Sequence, residues 1–216
     1  MALIQVAIDH LDHAAAVALA EQVAPHVDIL EIGTPCIKHN GIALLHELRR
    51  RFPGNRILVD LKTMDAGEYE TTPFYAAGAD LCTVLGTADD GTIRGAVQAA
   101  TRFGKQCQVD LINVPDKCAR AAEVAALGAH VIGVHTGLDQ QASGQTPFAD
   151  LTAIRGLGLD LVISVAGGIK RETVARALDA GAGIIVAGAA IYAAEDPVSA
   201  AIAIAEAARA PRQRAA

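Results

Sequence analysis

Eight apolar runs of strand length recur along this chain, at residues 3–8, 27–32, 57–61, 81–85, 107–112, 131–134, 161–166 and 184–187. Between them lie stretches with helical apolar spacing and much Ala and Leu, such as 14–23, 42–52 and 92–103. A glycine follows most helical stretches, at Gly54, Gly78, Gly104, Gly128, Gly158 and Gly181, where a left-handed C-cap favours a residue without Cβ. Successive gaps between these glycines are 24, 26, 24, 30 and 23 residues, the length of one strand plus one helix. A solenoid could share that beat, but leucine-rich and helical repeat signatures are absent. Parallel strands apolar on both faces, eight in number, predict a closed (β/α)8 TIM barrel, with an open doubly wound sheet as the alternative. No linker or composition shift divides the chain. We therefore expect a single barrel domain over residues 1–209 and a flexible tail at 210–216.

Composition narrows the partners. Lys and Arg number 18 against 24 Asp and Glu, for a net charge of −6, so no basic surplus exists to displace counterions from nucleic acid. The longest uncharged stretch near the C-terminus, 180–194, has 15 residues and three glycines, too short to span a bilayer. No basic segment precedes the first apolar run, and Asp9 comes early, which predicts no secretory signal and a cytoplasmic protein. Four scattered cysteines without CxxC spacing argue against a zinc site or a disulfide framework.

In a (β/α)8 barrel the active site lies at the C-terminal ends of the strands. The polar residues gather there. Asp9 ends the first run, Glu31 the second, Asp60 and Lys62 the third, Asp110 the fifth and His135 the sixth, while Gly167 and Gly168 follow the seventh and Gly188 the eighth. Alternation puts Gln5, Ala7 and Asp9 on one face of their strand, and Asp60 with Lys62 on one face of theirs. The turn after Lys62 can swing Asp65 back toward that pair.

Glu31 and Asp60 are oxygen donors of the kind that hold Mg²⁺, and their surplus negative charge beside one lysine favours a divalent ion over a metal-free ion pair. Lys62 admits a Schiff base in principle, but neighbouring carboxylates favour its ammonium form, so a fixed cation or proton donor fits better. His135 can accept or return a proton near neutral pH. The other histidines are expected to be solvated, except His10, which should face away from Asp9. Backbone N–H groups around Gly167, Gly168, Gly188 and Ala189 suit a phosphate at the seventh and eighth strands.

The segment Asp60-Leu-Lys62-Thr-Met-Asp65 carries the Asp-x-Lys-x-x-Asp hallmark of the orotidine 5′-monophosphate decarboxylase superfamily, and the chain resembles that superfamily. Further resemblance lies at 6–9 (VAID), 30–35 (LEIGTP), 58–62 (LVDLK), 83–86 (TVLG), 109–112 (VDLI), 133–139 (GVHTGLD) and 164–169 (SVAGGI), and continues through Asp196 and Pro197. Within the superfamily the resemblance is to the branch that joins ribulose 5-phosphate and formaldehyde in a Mg²⁺-dependent aldol reaction through an enediolate. It implies Glu31 and Asp60 as metal ligands, His135 as the base, and Lys62 and Asp9 as groups that orient hydroxyls and balance charge. The four residues of the last two strand ends would grip the phosphate. It also implies a homodimer in which Asp65 reaches the partner's site, and a contact of Asp110 with substrate or a metal-bound water. The competing branch decarboxylates 3-keto-L-gulonate 6-phosphate. That branch carries arginine in the loop beyond the histidine, where this chain reads Thr136-Gly-Leu-Asp139, and tends to carry one where this chain has Ala189. A non-catalytic sugar-phosphate-binding barrel would keep the glycine segments but lose the carboxylates or the base, and all are present.

Overall fold

The computed structural model describes residues 2–210. The first half of the chain runs β1 (Leu3–Ile8), α1 (His13–Val23), β2 (Ile29–Ile32), α2 (Thr34–Asn40), α3 (Ile42–Arg51), β3 (Arg56–Thr63), α4 (Gly67–Ala76), β4 (Leu81–Leu85) and α5 (Asp90–Arg102). It continues with β5 (Gln106–Asp110), α6 (Lys117–Ala126), β6 (Val131–His135), α7 (Leu138–Ala142), α8 (Phe148–Gly156), β7 (Val162–Ala166), α9 (Arg171–Asp179), β8 (Ile184–Ala187), α10 (Ala189–Tyr192) and α11 (Pro197–Arg209). A one-turn 3₁₀ helix at Ala24–His26 follows α1. The strands close in sequence order into a parallel barrel, β8 pairing with β1 through Leu3↔Ile184 and Val6↔Ala187. The expected barrel is thus the fold. Of the expected tail at 210–216, Ala210 is a bend, and 211–216 lie outside the described residues.

Most strands are apolar on both faces because each face meets a different core; β5 is the exception, with Gln106, Gln108 and Asp110 on one face. Ile29, Leu58, Leu81, Val131, Ile184 and Val186 fill the barrel's interior. The alternate residues, among them Ile4, Val6, Leu30, Ile57, Val59 and Ile132, pack outward under the helices in a larger core. A fully buried side chain of this size contributes roughly 1.5–3 kcal/mol, so the two-sided pattern makes the sheet self-consistent only when closed and coated. Helix starts are fixed locally. Asp12, Asp89, Asp116 and Asp196 accept backbone N–H groups of the first turns of α1, α5, α6 and α11, each such cap being worth about 1 kcal/mol.

Five of the six expected glycine C-caps have positive φ: Gly78, Gly104, Gly128, Gly158 and Gly181. Gly54 does not. Phe52 ends α3 instead, with φ −123°, and its N–H bonds the Leu48 carbonyl, so no left-handed residue is needed there. Two glycines let α4 and α5 touch: a Cβ on Gly67 would stand 1.9 Å from the Thr92 carbonyl oxygen, and one on Gly95 would stand 2.9 Å from the Glu68 nitrogen. At the N-terminal end of the barrel, Asp80 pairs with Arg49 and Lys105 and accepts the Ile57 N–H, tying α3, β3 and β5 together.

The irregularity that matters lies in β3. Val59 pairs with Cys82 and Thr63 with Val84, so Asp60, Leu61 and Lys62 face Thr83 alone. Lys62 takes up the extra length at φ +47°. For a non-glycine residue that left-handed conformation is costly, and it sits where the sequence concentrates its charge.

Candidate active site

The bulge sets the geometry of the barrel's mouth. Simple alternation would put Asp60 and Lys62 on one face; the left-handed Lys62 breaks the alternation yet still delivers its ammonium to Asp60 Oδ2 at 3.0 Å. The same Nζ lies 2.7 Å from Asp110 Oδ2 at the end of β5. His135 Nδ1, at the end of β6, stands 3.0 Å from that oxygen as well. Asp110 is further held by the Ile112 N–H on Oδ1 at 2.9 Å. Asp60, Lys62, Asp110 and His135 thus form one continuous chain across the mouth.

Asp60 is gripped from both sides. Thr83 Oγ1 donates to Oδ1 at 2.7 Å and Thr34 Oγ1 donates to Oδ2 at 2.6 Å. With Lys62 these make three donors on a carboxylate that can accept about four. Glu31, on the neighbouring strand, is buried, and Gln5 Nε2 donates to its Oε2 at 2.6 Å. Asp9 follows β1, its Oδ1 lying so near the Gly33 backbone that a Cβ on Gly33 would stand 2.0 Å from it. Gly188 brings the end of β8 to the same carboxylate.

Electrostatics follow from this packing. Burial, then the charge of Asp60, pushes the Glu31 carboxyl up to about 8. Burial and Asp60 also raise Asp9. Asp110 is buried too, yet the His135 hydrogen bond and the charges of His135 and Lys62 hold its carboxyl well below the usual range. Burial works against the Lys62 ammonium, but the charges of Asp110 and Asp60 outweigh it and raise its pKa further. That amine is unsuited to nucleophilic attack.

These residues fit a divalent cation. Two buried carboxylates on adjacent strands, one already destabilised as an anion, gain from a hard positive ion, and an all-oxygen pair selects Mg²⁺-like metals over soft ones. No group of three or more His, Cys, Asp or Glu is disposed around a metal among the described residues. Glu31 and Asp60 would be the protein's donors to such an ion, with water or substrate supplying the rest.

Gly167 and Gly168 follow β7 with φ of +106° and +67°. At Gly167 the requirement is absolute, because a Cβ would stand 2.4 Å from the Thr136 carbonyl oxygen. Gly188 and Ala189 follow β8, which pairs with β7, so the two proposed phosphate segments are neighbours.

Asp65 departs from expectation. It does not swing back to Asp60 and Lys62; it is exposed, and its Oδ1 accepts the Ala66 N–H at 2.7 Å. Ala66 at φ +50° turns the chain outward there. Asp65 lines an open cavity of about 1060 Å³ between α4 and α5, outside the barrel mouth, together with Tyr69, Thr92 and Arg102. Two of the histidines expected to be solvated are half-buried and also bonded: His13 pairs with Glu47 at 2.7 Å, and His130 Nδ1 accepts the Cys107 N–H at 3.1 Å.

Sequence puts Gln5 on the face of Asp9, and Gly33, Thr34 and Thr83 inside stretches of resemblance, but assigns none of them a role. Their signal was a polar or Cβ-free residue at an inward strand position or directly after a strand, which is weak for any one of them.

Known proteins resemble the chain throughout. A 3-hexulose-6-phosphate synthase of Methylomonas aminofaciens is 71% identical over 201 residues, covering 93% of this chain and 96% of the relative. A crystal structure of 3-hexulose-6-phosphate synthase superposes with a TM-score of 0.89 at 46% identity, over 95% of this chain and 99% of that one. A 3-keto-L-gulonate-6-phosphate decarboxylase of Vibrio cholerae superposes with a TM-score of 0.84 at 27% identity, over 96% of this chain and 97% of that one. No helix among the described residues is long and apolar enough to cross a membrane. The family model described as Orotidine 5'-phosphate decarboxylase / HUMPS family matches residues 2–204, and the chain belongs to that family of barrel enzymes.

Proposed function

We propose that this barrel is an aldehyde-lyase that condenses D-ribulose 5-phosphate with formaldehyde to D-arabino-hex-3-ulose 6-phosphate, with Mg²⁺ as cofactor, as a cytoplasmic homodimer. The observation that carries the reading is the unbroken Lys62, Asp110 and His135 chain beside the Glu31 and Asp60 pair. It is supported by the 71% identity to a relative named for this synthase activity.

Glu31 and Asp60 would hold Mg²⁺, which would supply Lewis-acid charge to stabilise the enediolate. Asp110 engages Nδ1 of His135, which leaves Nε2 as the ring nitrogen able to take the C1 proton. The electron pair released attacks the formaldehyde carbon; a C–C bond forms as the carbonyl π bond breaks, and the aldehyde oxygen takes the proton His135 carries. Lys62 stays an ammonium between two carboxylates, balancing their charge and orienting a hydroxyl. Asp9 takes a second hydroxyl. The Gly167, Gly168, Gly188 and Ala189 backbone grips the phosphate, and that remote binding energy positions the reacting end. In the dimer reading, the α4–α5 face with exposed Tyr69 and Met64 meets the second copy and Asp65 serves the partner's site.

The loop Thr136-Gly-Leu-Asp139 and Ala189 stand where the keto-gulonate decarboxylase branch is expected to carry arginine, which favours the synthase reading over that branch. Incubation with ribulose 5-phosphate, formaldehyde and Mg²⁺ is expected to consume aldehyde, and EDTA to stop it. Release of carbon dioxide from 3-keto-L-gulonate 6-phosphate without aldehyde uptake would overturn the assignment.

A further inference from the structure

The geometry points to Thr83 as a positioning residue that holds the metal-side carboxylate and the lysine in register with one hydroxyl. Thr83 is buried on β4, directly opposite the bulge of β3. Three β3 residues pass this one β4 residue, so the ordinary backbone ladder is interrupted there. Thr83 Oγ1 closes the gap twice: it accepts the Lys62 N–H at 2.9 Å and donates to Asp60 Oδ1 at 2.7 Å. One oxygen thereby supports a backbone at φ +47° and fixes the rotation of the carboxylate two residues earlier.

The consequence reaches the site through Lys62. Its ammonium reaches Asp60 and Asp110 from a backbone in the left-handed turn, and Asp110 in turn holds His135. Thr34 grips the other Asp60 oxygen but has no hold on Lys62 among the hydrogen bonds of the site. Of the two threonines on Asp60, Thr83 alone also holds the Lys62 backbone. A buried N–H left without an acceptor is expensive, so loss of the hydroxyl strains the bulge as well as freeing Asp60. The kinetic part of this inference rests on the proposed reaction; the rest does not.

Thr83→Val keeps the side chain's shape and removes the oxygen, and Thr83→Ser keeps the oxygen. In the full-length protein, Thr83→Val is expected to weaken Mn²⁺ binding, followed by electron paramagnetic resonance, and to lower kcat, each by roughly 10- to 100-fold, as partners behind metal ligands do. KM for ribulose 5-phosphate should change much less, because Thr83 lies on β4 and the phosphate segments follow β7 and β8. The Lys62 amide should exchange with deuterium at least tenfold faster in the valine protein, a change that needs neither metal nor turnover. Thr83→Ser should recover most of each loss. Unchanged Mn²⁺ affinity and Lys62 exchange in folded Thr83→Val would overturn the role, and so would a serine variant no better than the valine one. A lowered melting temperature with kcat intact would reduce Thr83 to packing and overturn it too. Failure of the wild type to consume aldehyde would instead remove the proposed reaction and leave Thr83 to be judged by Mn²⁺ binding and amide exchange.

Discussion

Replacing Gly33 by alanine isolates the placement of Asp9 from the stability of the barrel. Gly33 has φ −62° and ψ 158°, a conformation any residue adopts, so alanine there carries no backbone penalty. What it meets is atoms: its Cβ would stand 2.0 Å from Asp9 Oδ1, 2.9 Å from the Ile8 carbonyl oxygen and 3.0 Å from Asp9 Cγ. To regain ordinary contact the carboxylate must retreat by more than about 1 Å, a displacement of the size that costs on the order of 100-fold in rate when it misplaces a substrate-orienting group. Overpacking of this kind costs roughly 1–3 kcal/mol. For a domain of this size that is a drop of about 2–12 °C in melting temperature. Gly33→Ala should therefore stay folded at 25 °C, by circular dichroism and melting, while kcat/KM for aldehyde uptake falls by about two orders of magnitude. Wild-type kcat/KM in the folded variant would refute the reasoning, since it would mean that Asp9 either moves freely or takes no part.

Other expectations follow from the site's charges. Glu31 titrates near 4.5 in the unfolded chain and at about 8 in the fold, so metal-free protein should be most stable below pH 4.5 on this account and lose stability as pH rises through 8. Melting in EDTA between pH 5 and 8 should show that slope in the wild type and a flatter one in Glu31→Gln; equal slopes would exclude Glu31 as its source. Borohydride added during turnover should trap no substrate on Lys62, because two carboxylates keep it an ammonium; a trapped adduct by mass spectrometry would restore imine chemistry. If Asp65 serves the partner's site, Lys62→Ala and Asp65→Ala proteins, each impaired alone, should recover about a quarter of wild-type activity when refolded together, the share of intact sites in a random mixture of C₂ dimers. No recovery would place Asp65 with its own protomer's site and remove the cross-subunit role. His135→Ala should abolish exchange of the substrate's C1 proton with solvent, followed by NMR; undiminished exchange would make another group the base.

Strand positions were readable because two-sided burial leaves a run of apolar residues whichever way the strand faces, and β1, β4 and β8 begin and end where those runs do. β2 is shorter than its run, since Asp28 leaves the sheet and its carboxylate accepts the Ile4 N–H instead. The acids at the strand ends were legible for the same topological reason: a barrel sends every strand's C-terminus to one mouth. Residues whose part depends on a break in regularity were not. Period-two counting assumes every residue advances the strand equally, and the left-handed Lys62 violates that, so neither the joint hold of Thr83 on Asp60 and Lys62 nor the outward turn of Asp65 at Ala66 could be counted off the sequence.

The seam between β1 and β8 ties the chain's two ends into a single ring, and α11 then lies over β1 and α1. A nascent polypeptide leaving the ribosome can align the neighbouring strands that carry Glu31 and Asp60 early, but β1 keeps an unpaired edge until residues near 187 have emerged. Contacts of such sequence separation are slow to form and expose sticky backbone meanwhile. Synthesis of this enzyme thus leaves a window, ending only with its last strand, in which a chaperone has an edge to shield.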